Sequence, residues 1–138
     1  MIDKVGLLTI RDGRVLLCRK KRGTSLLILP GGKREEGESS LECLARELRE
    51  ELGEVAAVSP ELLGVYTHTA AGGAGKLVRI ELYRAELAGE ARAQSEIGEL
   101  VWFDAGDDWA TLAPSLAELI FPDLVARGIW KRIAAGDP

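Results

Sequence analysis

The sequence is poor in the residues that build thiolate metal sites and disulfide scaffolds. Its 138 residues include two cysteines, Cys18 and Cys43, and a single histidine, His68. Two cysteines are far fewer than a secreted disulfide framework uses, and their spacing does not match a zinc knuckle. We therefore expect both to be reduced thiols.

Long apolar runs and an excess of positive charge are also missing. No run approaches the roughly eighteen consecutive apolar residues of a membrane span, and residues 1–4 lack the layout of a signal peptide. The formal net charge is −4, which argues against a broad phosphate-neutralising surface for polymeric DNA or RNA. We predict a cytoplasmic location, with neither membrane nor nucleic acid as partner. A small anion can still bind where a metal ion and local cations reverse the field.

The bulk composition is that of a folded domain. Apolar residues make up 46% and charged residues 29%, which excludes the disordered and fibrous classes. The length is close to that of one compact domain, and there is no internal repeat and no linker. We predict a single domain over residues 1–138, with a mobile glycine-rich loop at residues 70–75 and a frayed end at residues 134–138.

Short apolar runs separated by turn residues predict a mixture of strands and helices. Asp12-Gly13 between two apolar runs is a hairpin signal, and Pro30-Gly31-Gly32 is a breaker cluster that ends a strand in a loop. Strands are predicted at residues 5–10, 15–18, 26–29, 62–69, 76–86 and 100–103. The first two should form one hairpin, and 62–69 with 76–86 a second. Residues 115–127 show a helical pattern interrupted by Pro122.

One helix is predicted with both of its ends. Ser39 followed three residues later by Glu42 is a capping box, and Gly53 is typical of a helix C-terminus. Between them, apolar residues recur at helical spacing, which predicts a helix over about residues 40–52. These apolar residues are Leu41, Leu44, Ala45, Leu48 and Leu52.

Three carboxylates lie on this helix at positions i, i+3 and i+4. Glu47, Glu50 and Glu51 should therefore share one face, where like charges repel by a few tenths of a kcal/mol per pair. A hard divalent cation such as Mg²⁺ would offset that repulsion, since it prefers oxygen ligands. Arg46 lies at i, i+4 from Glu50 and can orient a carboxylate. The simpler reading of the glutamates alone is a solvated acidic face.

The residues around the helix match a longer pattern. Gly32 is followed after five residues by Glu38, after seven more by Arg46-Glu47-Leu48, and then by Glu50-Glu51 and Gly53. This arrangement resembles the Nudix box of the MutT-like Nudix hydrolase family, and the resemblance extends over most of the chain. One position departs from the box, which normally continues with an aliphatic residue where Glu54 stands here, followed by Val55. The departure concerns packing at the helix exit more than metal binding.

The resemblance implies an α/β (α+β) fold, namely an α/β/α sandwich with a mixed sheet and a catalytic helix after a glycine-rich loop. It also implies hydrolysis of a diphosphate linkage in a nucleoside diphosphate derivative by attack of water on phosphorus. Mg²⁺ or Mn²⁺ would bridge phosphate oxygens and lower the pKa of a bound water, while a carboxylate takes the proton. The implied metal ligands are Glu47, Glu50, Glu51 and a carbonyl of Gly31 or Gly32, supported by Arg46, Glu38 and Gly53.

The general base stays open at this point. Glu50, Glu47 or an outside carboxylate fits, and Glu96 looks like the outside glutamate of some family members, with an ordinary surface residue as the alternative. Three cations, Lys33, Arg34 and Arg79, are candidates to bind the diphosphate, against plain solvated side chains. For His68 we favour a structural or rim position over contact with substrate.

Two other hypotheses compete with an enzyme. One is a catalytically silent Nudix domain that senses a nucleotide for a partner protein, and the other is a purely structural acidic helix. The complete Glu-x-x-Glu-Glu cluster argues against the silent domain. The substrate stays open among oxidised nucleoside triphosphates, ADP-ribose, dinucleoside polyphosphates and nucleotide sugars, because the choice depends on loop shapes. The number of metal ions, the phosphorus attacked and the formation of a homodimer also stay open.

Overall fold

The computed structural model describes residues 1–69 and 75–131. The strands in these ranges are β1 (Ile2–Leu8), β2 (Ile10–Arg11), β3 (Arg14–Lys20), β4 (Gly31–Lys33), β5 (Ala56–Thr69), β6 (Leu77–Ala88) and β7 (Ile97–Asp104). The two α-helices are α1 (Ser40–Leu52) and α2 (Phe121–Ala126). None of the helices in these ranges has the length and apolar character needed to cross a membrane.

The strands form two sheets. One is mixed, with the order β4-β1-β6-β5, in which β1 and β6 are parallel and the other pairs antiparallel. The other is antiparallel, with the order β2-β3-β7. The mixed α+β architecture and the β5–β6 hairpin confirm the predictions, although β5 begins earlier than expected, at Ala56.

The helices lie on opposite sides of the strands because neighbouring residues of a strand point to opposite faces. Leu7 of β1 packs in the hydrophobic cluster that contains Leu44 and Leu48 of α1. The next residue, Leu8, packs in the cluster that contains Phe121 and Leu124 of α2. The result is the α/β/α sandwich that the resemblance implied.

The opening hairpin is smaller than predicted. The apolar run at residues 5–10 is divided at Thr9, so β1 belongs to the mixed sheet and does not pair with β3. The two-residue strand β2 pairs with β3 around Asp12 and Gly13, whose φ angles are 53° and 77°. Two positive φ angles are typical of the tight turn that the Asp-Gly signal predicts. The turn was therefore right and the partner of the longer strand was wrong.

The strand predicted at residues 26–29 is wrong, and the loop predicted after it is right only beyond residue 33. Residues 26–29 make only isolated bridges, Cys18 with Ile28 and Leu27 with Leu112. Strand β4 starts instead at Gly31, which pairs with Gly6 of β1. A Cβ atom on Gly31 would lie 2.1 Å from the carbonyl oxygen of Val5, so only glycine permits this close pairing. The apolar pattern of the sequence does not indicate that β4 comes so close to β1.

Helix α1 confirms its predicted bounds and cap. The Ser39 side chain accepts from the Glu42 amide, and the Glu42 side chain accepts from the Ser39 amide. Leu44, Leu48 and Leu52 are buried as the stripe predicts. Leu41 differs, being 47% exposed, because it lies in the first turn, beyond the edge of the core. Ala45 is also exposed.

The C-terminal helical segment is not interrupted by Pro122. A π-helical turn, Leu116–Ile120, leads directly into α2, and Pro122 lies in the first turn of α2. Proline has no amide hydrogen to donate, and the hydrogen bonding of the segment changes from π to α spacing beside it: the Phe121 amide still donates to the Leu116 carbonyl, five residues back. Of the predicted mobile loop, residues 70–74 lie outside the described residues, as does the frayed end at residues 134–138.

Candidate active site

Helix α1 runs beside β4, and Glu47 lies directly over Gly32. A Cβ atom on Gly32 would be 2.4 Å from the carboxyl carbon of Glu47 and 2.6 Å from both of its oxygens. The absent side chain at Gly32 therefore makes the space that the Glu47 carboxylate occupies. Burial raises the pKa of Glu47, and hydrogen bonding to Arg46 opposes this rise.

Glu51 lies one helical turn further along, where α1 meets the start of β4. The residue is 5% exposed, and its Oε1 accepts a 2.7 Å hydrogen bond from the amide of Gly31. Burial raises the pKa of Glu51 to about 7, the Gly31 amide lowers it, and the charges of Glu47 and Glu96 raise it further. The negative charge of Glu51 is therefore balanced by little positive charge from the protein.

Arg46 connects the glutamates of the site. It donates to Glu38 through Nε at 2.6 Å and through Nη2 at 2.9 Å, which is a bidentate pair. Its Nη1 donates to Glu47 at 3.0 Å and to Glu50 at 3.3 Å, and its Nη2 also donates to the Lys33 carbonyl. Hydrogen bonds from Arg46 lower the pKa of Glu38 to about 2. Arg46 thus links Glu38 to Glu47 and Glu50.

The three helix glutamates differ in depth. Glu51 is buried, Glu47 is partly buried and the Glu50 side chain is 54% exposed. Across the described ranges, no three side chains of Asp, Glu, His or Cys converge closely enough to enclose a metal ion. The reason is that Arg46 draws Glu47 and Glu50 towards itself, whereas Glu51 turns to the Gly31 amide. The three carboxylates that helical spacing placed on one face therefore differ in burial, from buried Glu51 to exposed Glu50.

The donor set nevertheless fits a hard divalent cation. In each of Glu47, Glu50 and Glu51, Oε1 accepts a protein hydrogen bond. Within the described part of the chain, Oε2 of each has no protein donor, and no buried side-chain oxygen lacks a hydrogen-bond partner. These Oε2 atoms are thus accessible oxygens of the kind that Mg²⁺ and Mn²⁺ bind.

Glu96 lies near this cluster, although its position was not fixed by sequence. Its charge raises the pKa values of both Glu47 and Glu51. The residue is exposed, just before β7, and lines a cavity of about 360 Å³ together with Lys21, Arg22 and Ser95. Its place beside the carboxylates is compatible with the role of an outside glutamate.

The three candidate cations have different surroundings. Lys33 is exposed at the end of β4, next to the site. Arg34 and Arg79 instead donate to the buried carboxylate of Glu81, at 2.8 Å and 3.0 Å. Their charges are therefore partly balanced inside the protein.

Glu81 is a residue that the sequence reasoning missed. Besides the two arginines, its carboxylate accepts from the Ser40 hydroxyl at 3.0 Å and from the Tyr83 hydroxyl at 3.2 Å. Burial opposes its ionisation, but the hydrogen bonds from Arg79, Ser40 and Tyr83 outweigh burial and lower the pKa of Glu81. The available signal was a glutamate between Ile80 and Leu82 in an apolar strand.

Other candidate residues have structural positions. Cys43 is buried against the Lys33 carbonyl, and burial raises the pKa of its thiol to about 11, so it is no nucleophile. His68 is partly buried, with Nδ1 3.0 Å from the Thr69 carbonyl. Gly53 ends α1 with φ at 86°, and Val55 is buried in the core while Glu54 is exposed. Val55 thus supplies the apolar contact that the departure from the box had put in question.

Two known proteins are similar to this chain in sequence. The chain is 34% identical over 99 residues to an uncharacterised Nudix hydrolase, YvcI, of Bacillus subtilis strain 168, covering 70% of this chain and 61% of that protein. It is 32% identical over 96 residues to an ADP-ribose pyrophosphatase of Methanocaldococcus jannaschii, covering 68% and 56%. The chain thus spans about three fifths of the length of these curated relatives.

A solved structure, that of a MutT NUDIX hydrolase from Burkholderia pseudomallei, agrees with this fold. Its TM-score is 0.69 at 33% identity, with 78% of this chain and 85% of that chain covered. The NUDIX domain model matches residues 2–120, which include both sheets and all of α1. The chain therefore belongs to the Nudix family and is MutT-like within it.

Proposed function

We propose that this protein hydrolyses a diphosphate linkage in a nucleoside diphosphate derivative with the aid of Mg²⁺, for which Mn²⁺ can substitute. Nudix hydrolases generally use divalent metal ions and act on small nucleotide derivatives. The observation that supports the proposal is the set of three carboxylates on α1, two of which lie against the Gly31-Gly32 backbone, each with one oxygen in a protein hydrogen bond and one accessible.

Glu47, Glu50 and Glu51 would hold the metal, together with a carbonyl of Gly31 or Gly32. The bound metal supplies Lewis acidity towards phosphate oxygens and lowers the pKa of water. Arg46 holds Glu47 in place, contacts Glu50 only weakly, and is itself fixed by its bidentate pair with Glu38. Each of these contacts restricts a side chain before the substrate arrives, which reduces the entropic cost of reaching the reactive arrangement.

Glu50 is our choice for the general base. Its side chain is the most exposed of the three and has one weak contact with Arg46, so it can reach a water at the metal. Glu47 is packed against Gly32, which restricts its movement. Glu96 is the second choice, since it lies near both Glu47 and Glu51 without being part of the helix.

The proposed substrate class is supported by the cations and by the relatives. Lys33 would contact phosphate directly. Arg34 and Arg79 are held by the Glu81 carboxylate and would donate to phosphate through their remaining N–H groups. Because the Methanocaldococcus jannaschii relative is an ADP-ribose pyrophosphatase, ADP-ribose is the first compound to test. Nucleoside triphosphates, dinucleoside polyphosphates and nucleotide sugars complete the panel.

The test is phosphorus NMR of the full chain with Mg²⁺ and each compound in turn. We expect phosphate products from at least one compound, loss of at least about a hundredfold of turnover in Glu50→Gln, and solvent oxygen-18 in one product. A phosphoryl-enzyme intermediate would contradict direct attack by water. No product from any compound, with tight binding of one, would instead support a nucleotide-sensing module.

A further inference from the structure

Lys4 is a cation beside the carboxylates that neither the box nor the composition identifies. In the antiparallel pairing of β1 with β4, Lys4 lies directly opposite Lys33. Directly opposed residues share a face of the sheet, with Cβ atoms about 5 Å apart, and opposed like charges are unfavourable. The pairing therefore concentrates two positive charges at the edge of the mixed sheet.

These lysines differ from the partly buried arginines near the site. Arg34, Arg46 and Arg79 each have a carboxylate within 3.0 Å. Among the described residues, neither Lys4 nor Lys33 has an ion-pair partner within 4.0 Å.

The surroundings of Lys4 make this lack of a partner notable. Burial lowers the pKa of Lys4, as do the charges of Lys20 and Lys33, whereas Glu47 and Glu51 raise it. Lys4 is therefore within electrostatic reach of two proposed metal ligands without pairing with either of them. A half-buried ammonium in such a place is unfavourable unless an anion joins it.

We propose that Lys4 is a substrate-positioning residue, which together with Lys33 binds the diphosphate group of the substrate at the β1–β4 edge. This inference rests on the proposed function and deepens it. A diphosphate has two charged groups, so it can contact both ammonium groups, whereas a monophosphate satisfies them less well. The pair should thus favour the intact substrate over a monophosphate product.

The competing explanation is that Lys4 only offsets repulsion between Glu47 and Glu51. Removing Lys4 would then tighten metal binding, because less positive charge would oppose the cation, and would leave diphosphate binding unchanged. Binding measurements on the full chain separate the two explanations without relying on turnover.

The experiment is calorimetric titration of metal-free protein with inorganic pyrophosphate and, separately, with inorganic phosphate. The variants are Lys4→Met, Lys33→Met and Lys4→Arg, with the exposed Lys76→Met as the matched control. Circular dichroism checks that each variant is folded. We expect Lys4→Met and Lys33→Met each to weaken pyrophosphate binding by about tenfold or more, since each removes one of two charged contacts. Phosphate binding should weaken less, and Lys4→Arg and Lys76→Met should bind almost as the wild type does.

Three results would overturn the inference. They are unchanged pyrophosphate binding in Lys4→Met, equal weakening in Lys76→Met, or no pyrophosphate binding by the wild type at millimolar concentration. A Mn²⁺ titration of the same variants identifies the counter-charge role, in which only the metal affinity rises. If pyrophosphate binds as expected but no compound of the panel is hydrolysed, then the proposed hydrolysis fails while the diphosphate site stands.

Discussion

Within the site, Glu51 is the carboxylate whose negative charge is made most unfavourable by folding. Burial raises its pKa from the usual 4.5 to about 7. A carboxyl group with a raised folded-state pKa binds its proton more tightly in the folded protein than in the unfolded chain. Its effect on stability is therefore neutral below about pH 4.5, becomes more unfavourable as pH rises to about 7, and is fully unfavourable above that.

We expect Glu51→Gln to stabilise the metal-free protein at about pH 8 and to abolish turnover. Glutamine keeps an oxygen for the Gly31 amide but has no charge to bury. Thermal melts in EDTA between roughly pH 5 and pH 8 should show a smaller loss of stability with rising pH than in the wild type. Glu50→Gln is the control, because it removes a carboxylate of the same helix whose side chain is exposed. An identical pH profile in Glu51→Gln would contradict the buried charge.

Gly32 is a second residue with a specific prediction. In Gly32→Ala the new Cβ would lie 2.4 Å from the Glu47 carboxyl carbon, so the carboxylate must move while the backbone can stay. We expect Mn²⁺ affinity to fall by about tenfold or more, since one ligand is displaced, with a small change in melting temperature.

Gly6→Ala is the matched control for this change. Gly6 pairs with Gly31 in the same ladder, but its nearest contact would be an ordinary 3.5 Å to Leu29. Isothermal titration with Mn²⁺ makes the comparison. Equal metal affinity in both variants would show that Glu47 does not depend on the space above Gly32.

At the scale of elements, α1 depends on its first turn. The reciprocal hydrogen bonds between Ser39 and Glu42 satisfy two amides that the helix itself cannot. Ser39→Ala should lower the free energy of unfolding by about 1 kcal/mol, measured by urea denaturation of metal-free protein.

A suitable control for the cap is Ser115→Ala. Ser115 precedes the π-helical turn without a capping hydrogen bond from its side chain. Its replacement should change the unfolding free energy by much less. Similar losses in the two variants would mean that the capping box contributes little to α1.

At the scale of the whole molecule, a divalent metal should stabilise the fold. Metal that binds the assembled site and not the unfolded chain stabilises by RT ln(1 + [L]/Kd), or about 1.4 kcal/mol at ten times Kd. The melting temperature should rise with Mg²⁺. The rise should be larger as pH increases towards neutrality, because protons then compete less with the metal for the Glu51 carboxylate. KCl at matched ionic strength controls for screening. A shift that KCl reproduces in full, or that persists in Glu50→Gln with Glu51→Gln, would exclude the glutamates as ligands.

The sequence determined by itself those features that depend on neighbours within one or two helical turns. The bounds of α1, its capping box and the turn at Asp12-Gly13 were predicted correctly, since each rests on hydrogen bonds or dihedral angles that local residues fix. The order of residues from Gly32 to Gly53 also identified the family, because it requires no knowledge of distant contacts.

Only the tertiary structure decided the features that depend on pairing between distant segments. The sheet to which β1 belongs, the approach of Gly31 to Val5 and the pairing of Lys4 with Lys33 follow from strand register, which no local pattern specifies. The same holds for charge. Helical spacing gave Glu51 and Glu50 equivalent places, whereas packing of α1 against the sheets buried one and left the other in water. Burial is a property of the assembled layers, and it sets which carboxylate has a raised pKa and which can move.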